Sequence, residues 1–205
     1  MKGAAMNWTK LLLVWVFSLF VLNSALGQGC PSLRDAQPAE LVSFLSAAMP
    51  DQSNSECIAW AIKTLGAKKY EAALPVLARY LDFKRPPSEL EKDGVYLHPS
   101  SVWQVYPAAA AFDEFGEKAL PTLINVIRSE SATELARQNA IAVLMAIHKY
   151  ETPKGVALLK EEEVKATDDS SKRRLRSAIS IAVAKWCGPV DQPSCKVAAN
   201  DDKRN

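Results

Sequence analysis

The sequence has few of the residue types from which catalytic and metal sites are built. It contains two histidines and four cysteines in 205 residues, and no C-x-x-C pair. The H-E-x-x-H zinc motif, the G-x-S-x-G nucleophile turn and the glycine-rich phosphate loops are all missing. We therefore predict no catalytic residue, no metal site and no bound cofactor, and we expect the protein not to be an enzyme.

A strong excess of either charge is also lacking. The formal net charge is +2, and Lys2 and Lys10 lie in a predicted leader, so the rest of the chain has equal numbers of basic and acidic residues. Nucleic-acid binding relies on clustered positive charge, so no nucleic-acid partner is predicted. Eight glycines and 12 prolines exclude collagen-like and low-complexity chains, and 48% hydrophobic residues indicate a folded globular domain.

Residues 1–27 have the composition of a secretory signal peptide. Two lysines flank its amino-terminal part, and the apolar run at 11–22 is 12 residues long. That is shorter than the roughly 20 residues that cross a membrane. Small residues at Ala25 and Gly27 favour cleavage before Gln28. We predict an exported protein, periplasmic or secreted, with no stable membrane insertion after cleavage. An uncleaved anchor and a lipoprotein attached through Cys30 are the alternatives.

All four cysteines follow this leader. An oxidising compartment favours disulfides, and four cysteines allow three pairings. Pairing of sequence neighbours joins Cys30 to Cys57 and Cys187 to Cys195, the second pair across a turn rich in glycine and proline. We expect both bridges to be structural.

Helical periodicity dominates the remaining chain. Apolar residues recur at a spacing of three to four, and alternating strand-like segments joined by short turns are absent from the sequence. The fold class predicted is all-α with about eight helices, and short connections make successive helices antiparallel neighbours. The predicted helical segments are 38–49, 54–66, 71–83, 103–115, 117–129, 132–150, 153–165 and 170–187.

A short repeat is visible among these segments. The sequence A-L-P-V-L at 73–77 returns as A-L-P-T-L at 119–123, an offset of 46, and each copy follows a helix that ends in an apolar residue and a glycine. Proline is tolerated in the first helical turn, where no intrahelical hydrogen bond is lost. Gly66 and Gly116 are predicted to end the preceding helices in the left-handed conformation. The pattern predicts helix hairpins that bury their apolar faces by stacking.

Both copies resemble the HEAT-repeat family, of the type found in exported bacterial proteins. The family pattern A-x-x-x-L-G followed by A-L-P-x-L corresponds to residues 61–81 with a longer turn, and residues 115–127 match it well. Arg79 and Arg128 correspond to the arginine usual in the second helices, whereas the family's aspartate is not evident. The resemblance covers 54–187 and implies an α-solenoid of stacked antiparallel hairpins, whose concave surface holds a partner protein or ligand. A plain bundle of the same helices is the alternative.

Residues 84–102 interrupt the repeat and contain several helix-breaking residues. Insertions in repeat proteins often collect on the binding face. The candidate binding residues are therefore Tyr96, His98, Trp103 and Tyr106. The plainer interpretation is a loop that covers one end of the core. A small-ligand binder or hydrolase with a pocket beneath this insertion is the competing functional prediction.

The other charged and titratable residues are given structural roles. His148 lies in an apolar helix and is predicted to be a packing residue. Glu161–Glu163 ends one helix and Lys172–Arg176 begins the next, so each run is expected to neutralise the other across an antiparallel hairpin.

The sequence thus predicts an exported interaction or assembly scaffold for an unidentified protein partner. Its predicted segments are a signal peptide (1–27), an amino-terminal cap (28–53), the repeat domain (54–187) and a disulfide-capped tail (188–205).

Overall fold

A computed structural model describes residues 30, 33–49, 54–87, 89–92 and 102–186, and throughout these ranges it is helical with no strand. The all-α prediction is confirmed, and each of the eight predicted segments corresponds to one main helix. Single helical turns also form at Glu89–Lys92 and Val102–Val105. The main helices are α1 (Pro38–Ala47), α2 (Ser55–Ala67), α3 (Leu74–Ala78), α4 (Pro107–Phe115), α5 (Leu120–Arg128), α6 (Glu134–Ile147), α7 (Thr152–Lys165) and α8 (Asp169–Trp186).

The two copies of the sequence repeat have the same backbone conformation. In each copy a 3₁₀ turn, Glu71–Ala73 or Gly116–Ala119, leads directly into the second helix of a hairpin. Ala73 has φ −80° and ψ −17°, and its counterpart 46 residues later has φ −77° and ψ −23°. Leu74 and Leu120 also agree within a few degrees. The prolines that follow lie in the first α-helical turn, as predicted.

The hairpin turns use left-handed residues, but not always at glycine. Gly116 has φ 60°, as predicted. Gly66 is instead buried inside α2, and the left-handed residue of that turn is Lys69, with φ 49°. The prediction for Gly66 was therefore wrong. Its lack of a side chain serves close packing, since a Cβ placed there would lie 2.7 Å from Cα of Ala111 in α4. In the turn between α6 and α7, Lys149 has φ 53°.

We expect Lys69→Gly to stabilise the protein by about 0.5–1 kcal/mol, because an L-residue is strained in this conformation and glycine is not. Thermal unfolding should show a midpoint about 2–4 °C higher per kcal/mol gained for a domain of this size. Lys68→Gly is the matched control, since Lys68 has φ −81° and gains nothing from glycine. An increase in both variants, or in neither, would contradict the strain argument.

The helices form two rows of neighbours. The first helices of successive hairpins are neighbours, with α2 against α4 and α4 against α6, and the other layer places α1 against α3 and α3 against α5. The two 3₁₀ turns are also adjacent, because Lys118 forms an ion pair with Glu71. The core lies between the layers, and Phe112 is among its largest fully buried side chains.

The last hairpin departs from this arrangement. In this hairpin α8, rather than α7, makes the extensive contact with α5, and it also packs on α6. Arg174 of α8 donates from Nε to the Arg128 carbonyl at 2.6 Å. One ion pair of the predicted charge neutralisation is present, between Arg176 and Glu163 at 2.5 Å, whereas Glu162 lies 3.7 Å from Arg128 of α5. The α7–α8 hairpin thus closes this end of the second layer.

Polar side chains satisfy the carbonyl groups at the ends of the second-layer helices. The Tyr80 hydroxyl donates to the Leu45 carbonyl of α1 at 2.6 Å, and Nδ2 of buried Asn139 donates to the Leu81 carbonyl just after α3 at 2.7 Å. Arg174 does the same for α5. The last carbonyls of a helix have no intrahelical partner, so each donor links one helix end to a later helix. Burial of its ring raises the pKa of Tyr80 above its usual value.

A disulfide joins Cys30 to Cys57, with their Cα atoms 5.4 Å apart. This predicted pair is confirmed, and it fixes the chain before α1 to the first turn of α2. A sulfur in a disulfide is not available for lipid attachment, so this bond argues against the lipoprotein alternative. Cys187 and Cys195 lie outside the described residues. Among the described helices, none combines the length and the hydropathy needed to cross a membrane.

Candidate functional site

A surface cleft of about 520 Å³ lies between α3 and α5, and the start of α6 forms its third wall. A cleft of this size falls within the usual range for ligand sites, roughly 300–1,000 Å³. Its lining residues come from the two equivalent second helices and from the segment that leads into α6. They are Pro75, Ala78, Arg79, Asp82, Thr122, Asn125, Val126, Ser129, Ser131, Ala132, Thr133 and Ala136.

The repeat explains why polar side chains meet here. In each helix and the residues that follow it, the lining positions have the spacing i, i+3, i+4 and i+7, so each segment turns a single face to the cleft. Arg79 and Asn125 are 46 residues apart and hold the same place in their hairpins. Because α3 and α5 pack side by side, this repeat position presents two exposed polar groups on neighbouring helices.

The third wall is held by Thr133. Its hydroxyl accepts a hydrogen bond from the Ala136 amide at 3.1 Å, which caps α6, and donates to Oδ2 of Asp82 at 2.7 Å. The Ser129 and Ser131 hydroxyls are 2.9 Å apart on the connecting segment. These contacts fix the distance between the end of α3 and the start of α6, so the cleft is a formed feature of the fold.

Three lining groups have hydrogen-bonding capacity left over. Arg79 donates from Nη1 to the Ser46 carbonyl at 3.3 Å, and it makes no ion pair with any described residue. Among the described residues, the Thr122 hydroxyl and the Asn125 amide have no hydrogen-bond partner. A guanidinium, a hydroxyl and an amide can together recognise a polar ligand that carries negative charge and peptide-like groups. The floor between them is apolar, with Ala78 and Val126 among its residues.

The structure describes two of the four predicted site residues, Trp103 and Tyr106. Trp103 donates from Nε1 to Oδ2 of Asp113 at 2.8 Å, which fastens the end of the insertion to α4. Tyr106 occupies the N-cap position of α4 and packs, partly buried, on the core. Neither lines the cleft. Tyr96 and His98 fall outside the described residues.

The two flanks of the insertion are joined through Arg85. Its guanidinium forms two hydrogen bonds with Glu91, at 2.7 and 2.8 Å, and its Nε donates to the Gln104 carbonyl at 2.5 Å. The hydrogen bonds that Arg85 donates to the Glu91 carboxylate raise the pKa of Arg85 above its usual value. These contacts fit the plainer interpretation of the insertion, that of a loop fastened to the core.

His148 follows α6 as its C-cap residue and is half-buried. Its Nε2 is buried and accepts no hydrogen bond from the described residues. A half-buried imidazole whose Nε2 has no partner among the described residues is compatible with the predicted packing role. In the part of the chain that the structure describes, no three histidine, cysteine or acidic side chains are placed to hold a metal ion.

Comparisons with family models, curated proteins and solved structures gave no match to this chain.

Proposed function

We propose that this chain is an exported HEAT-like α-solenoid, without catalysis of its own, that binds another protein in the cleft between α3 and α5. The solenoid part of the proposal is supported by the in-register packing of the first two hairpins. Equivalent helices are neighbours in both layers, and Glu71 pairs with Lys118 between equivalent turns. Export is supported by the signal-peptide composition of residues 1–27 and by the disulfide at Cys30.

The observation that carries the binding role is the cleft itself. Stacked hairpins bring Arg79, Thr122 and Asn125 together on an apolar floor, and these groups keep hydrogen-bonding capacity that a partner can use. The cleft rests on rigid helices and on the Thr133–Asp82 hydrogen bond, so the protein orders little of its own structure on binding.

Photo-cross-linking in intact cells tests this function. A photoreactive amino acid at Asn125 should yield one discrete protein adduct, whereas the same group at exposed Ser177 of α8 should not. A second change, Thr122→Trp, fills the cleft and should abolish the adduct at Asn125. The proposal fails if no protein is cross-linked from Asn125, or if the adduct persists with the tryptophan in place.

A further inference from the structure

We infer that the cleft takes an extended segment of its protein partner, with one aspartate or glutamate side chain bound to Arg79 and a backbone peptide group bound to Asn125. This inference rests on the proposed function and specifies the chemistry of the partner. It follows from three features of the cleft, which are the guanidinium of Arg79, the amide of Asn125 at the equivalent repeat position and the side-by-side packing of α3 and α5.

Arg79 supplies the charge complementarity. The guanidinium has five N–H donors in a fixed fork, and the described residues engage one of its nitrogens, through the Ser46 carbonyl. Guanidinium groups bind carboxylates with two parallel hydrogen bonds, a geometry that lysine cannot provide. The side chain is exposed at the edge of the cleft, so a carboxylate can approach it from solvent.

Asp82 limits the partner to a single acid at this place. It follows Arg79 by three residues, in the turn after α3, and it also lines the cleft. Although Thr133 donates to it, the carboxylate keeps a negative charge that repels a second acidic residue. A run of acidic residues should therefore bind no better than one acid in a neutral segment.

Asn125 favours a partner segment with an extended backbone. A side-chain amide offers one acceptor and two donors, which match the N–H and C=O groups of a peptide unit. A helix uses those groups internally, whereas an extended segment exposes them. Packed helices lie about 8–10 Å apart, and an extended chain advances about 3.3 Å per residue. The acidic residue and the peptide group bound by Asn125 should thus be about three residues apart.

A peptide library tests this chemistry directly. The full chain, purified under oxidising conditions, is screened against random eight-residue peptides in two arms, one amidated at the carboxyl terminus and the other with a free carboxylate. The amidated arm should enrich one aspartate or glutamate at a fixed position. Fluorescence polarisation with the best amidated peptide should then show about tenfold weaker binding for Arg79→Gln and no change for Arg173→Gln, which removes an equal charge from exposed α8.

The matched change on the peptide, Glu→Gln or Asp→Asn, requires no protein variant and should weaken binding by a similar factor. Combined with Arg79→Gln it should cause little further loss, because both changes remove one interaction. The inference is wrong if bound peptides show no acidic preference, if only the free-carboxylate arm binds, or if Arg79→Gln leaves affinity unchanged. Peptide binding that Thr122→Trp blocks would still support the proposed function in those cases. Absence of any peptide that Thr122→Trp displaces would contradict the inference and the proposed function together.

Discussion

Replacing Cys30 and Cys57 by serine should lower the free energy of unfolding by about 3–4 kcal/mol. The bond joins residues separated by 27 positions in sequence, and loop closure in the unfolded chain gives an entropy of this size. Domains of this kind are stable by only about 5–15 kcal/mol, so the loss is a large part of the total. Urea unfolding of the oxidised wild-type chain and the double variant, followed through the tryptophans, measures it.

The second predicted bridge provides an internal control. Adding reductant to the double serine variant can no longer act through Cys30 and Cys57, so any further loss reports the pair Cys187–Cys195. That bridge closes a shorter loop and should contribute about 2–3 kcal/mol. A disulfide-linked peptide that joins Cys30 or Cys57 to either of the later cysteines would contradict both pairings. An unchanged urea midpoint in the serine variant would contradict the stabilising role of the Cys30–Cys57 bridge.

The local parts of this fold were predictable from the sequence because short-range physics determines them. The spacing of apolar residues predicted all eight helices, and the A-L-P-x-L copies predicted two equivalent helix starts, at which the dihedral angles of Ala73 and Ala119 agree within a few degrees. The sequence did not predict the contacts between residues far apart in the chain. Nothing in the pattern around Arg174 shows that it reaches the Arg128 carbonyl, or that α8 replaces α7 beside α5.

Gly66 has a structural role, but it is not the role that was predicted from the sequence. A glycine after a helical stripe most often ends the helix, and that rule holds for Gly116. In the first hairpin the helix continues past Gly66, and Lys69 takes the left-handed conformation instead. Close approach of another helix leaves no periodic signal in a sequence, so only the position of Ala111 in space explains this glycine.

The cleft was missed for a related reason. Arg79 and Asn125 each lie on the polar face of a short amphipathic helix, and such residues ordinarily indicate a solvated surface. They line one cleft only because the helices pack and place equivalent positions side by side. Superposing the two A-L-P-x-L copies would have shown polar residues at the same place, 46 positions apart. Binding residues were predicted at the insertion because aromatic residues are conspicuous there. In the structure Trp103 and Tyr106 fasten the end of the insertion to the core.

Gly66→Ala should destabilise the protein by about 2 kcal/mol, whereas Gly155→Ala should be close to neutral. Both glycines are buried in helices, where alanine gains up to about 1 kcal/mol in helix propensity. A Cβ at Gly66 meets Cα and Cβ of Ala111, each at 2.7 Å, and only a shift of α4 relieves the contact. At Gly155 the nearest atom is Sδ of Met145 at 2.5 Å, and a flexible methionine can change its rotamer. The contact at Gly155 is therefore the shorter of the two, yet Gly155→Ala is expected to destabilise the protein less than Gly66→Ala.

Urea unfolding of the two variants measures the difference, and Ala111→Gly in the Gly66→Ala background should restore part of the loss by removing the Cβ contact. Equal stability of the two alanine variants would show that α2 and α4 separate freely.

The same glycine is expected to affect binding. The contact between α2 and α4 sets the distance between the hairpins and hence between α3 and α5. Gly66→Ala should therefore also reduce the cross-link formed at Asn125 under conditions where the variant stays folded, although Gly66 does not line the cleft. Gly155→Ala should leave that cross-link unchanged.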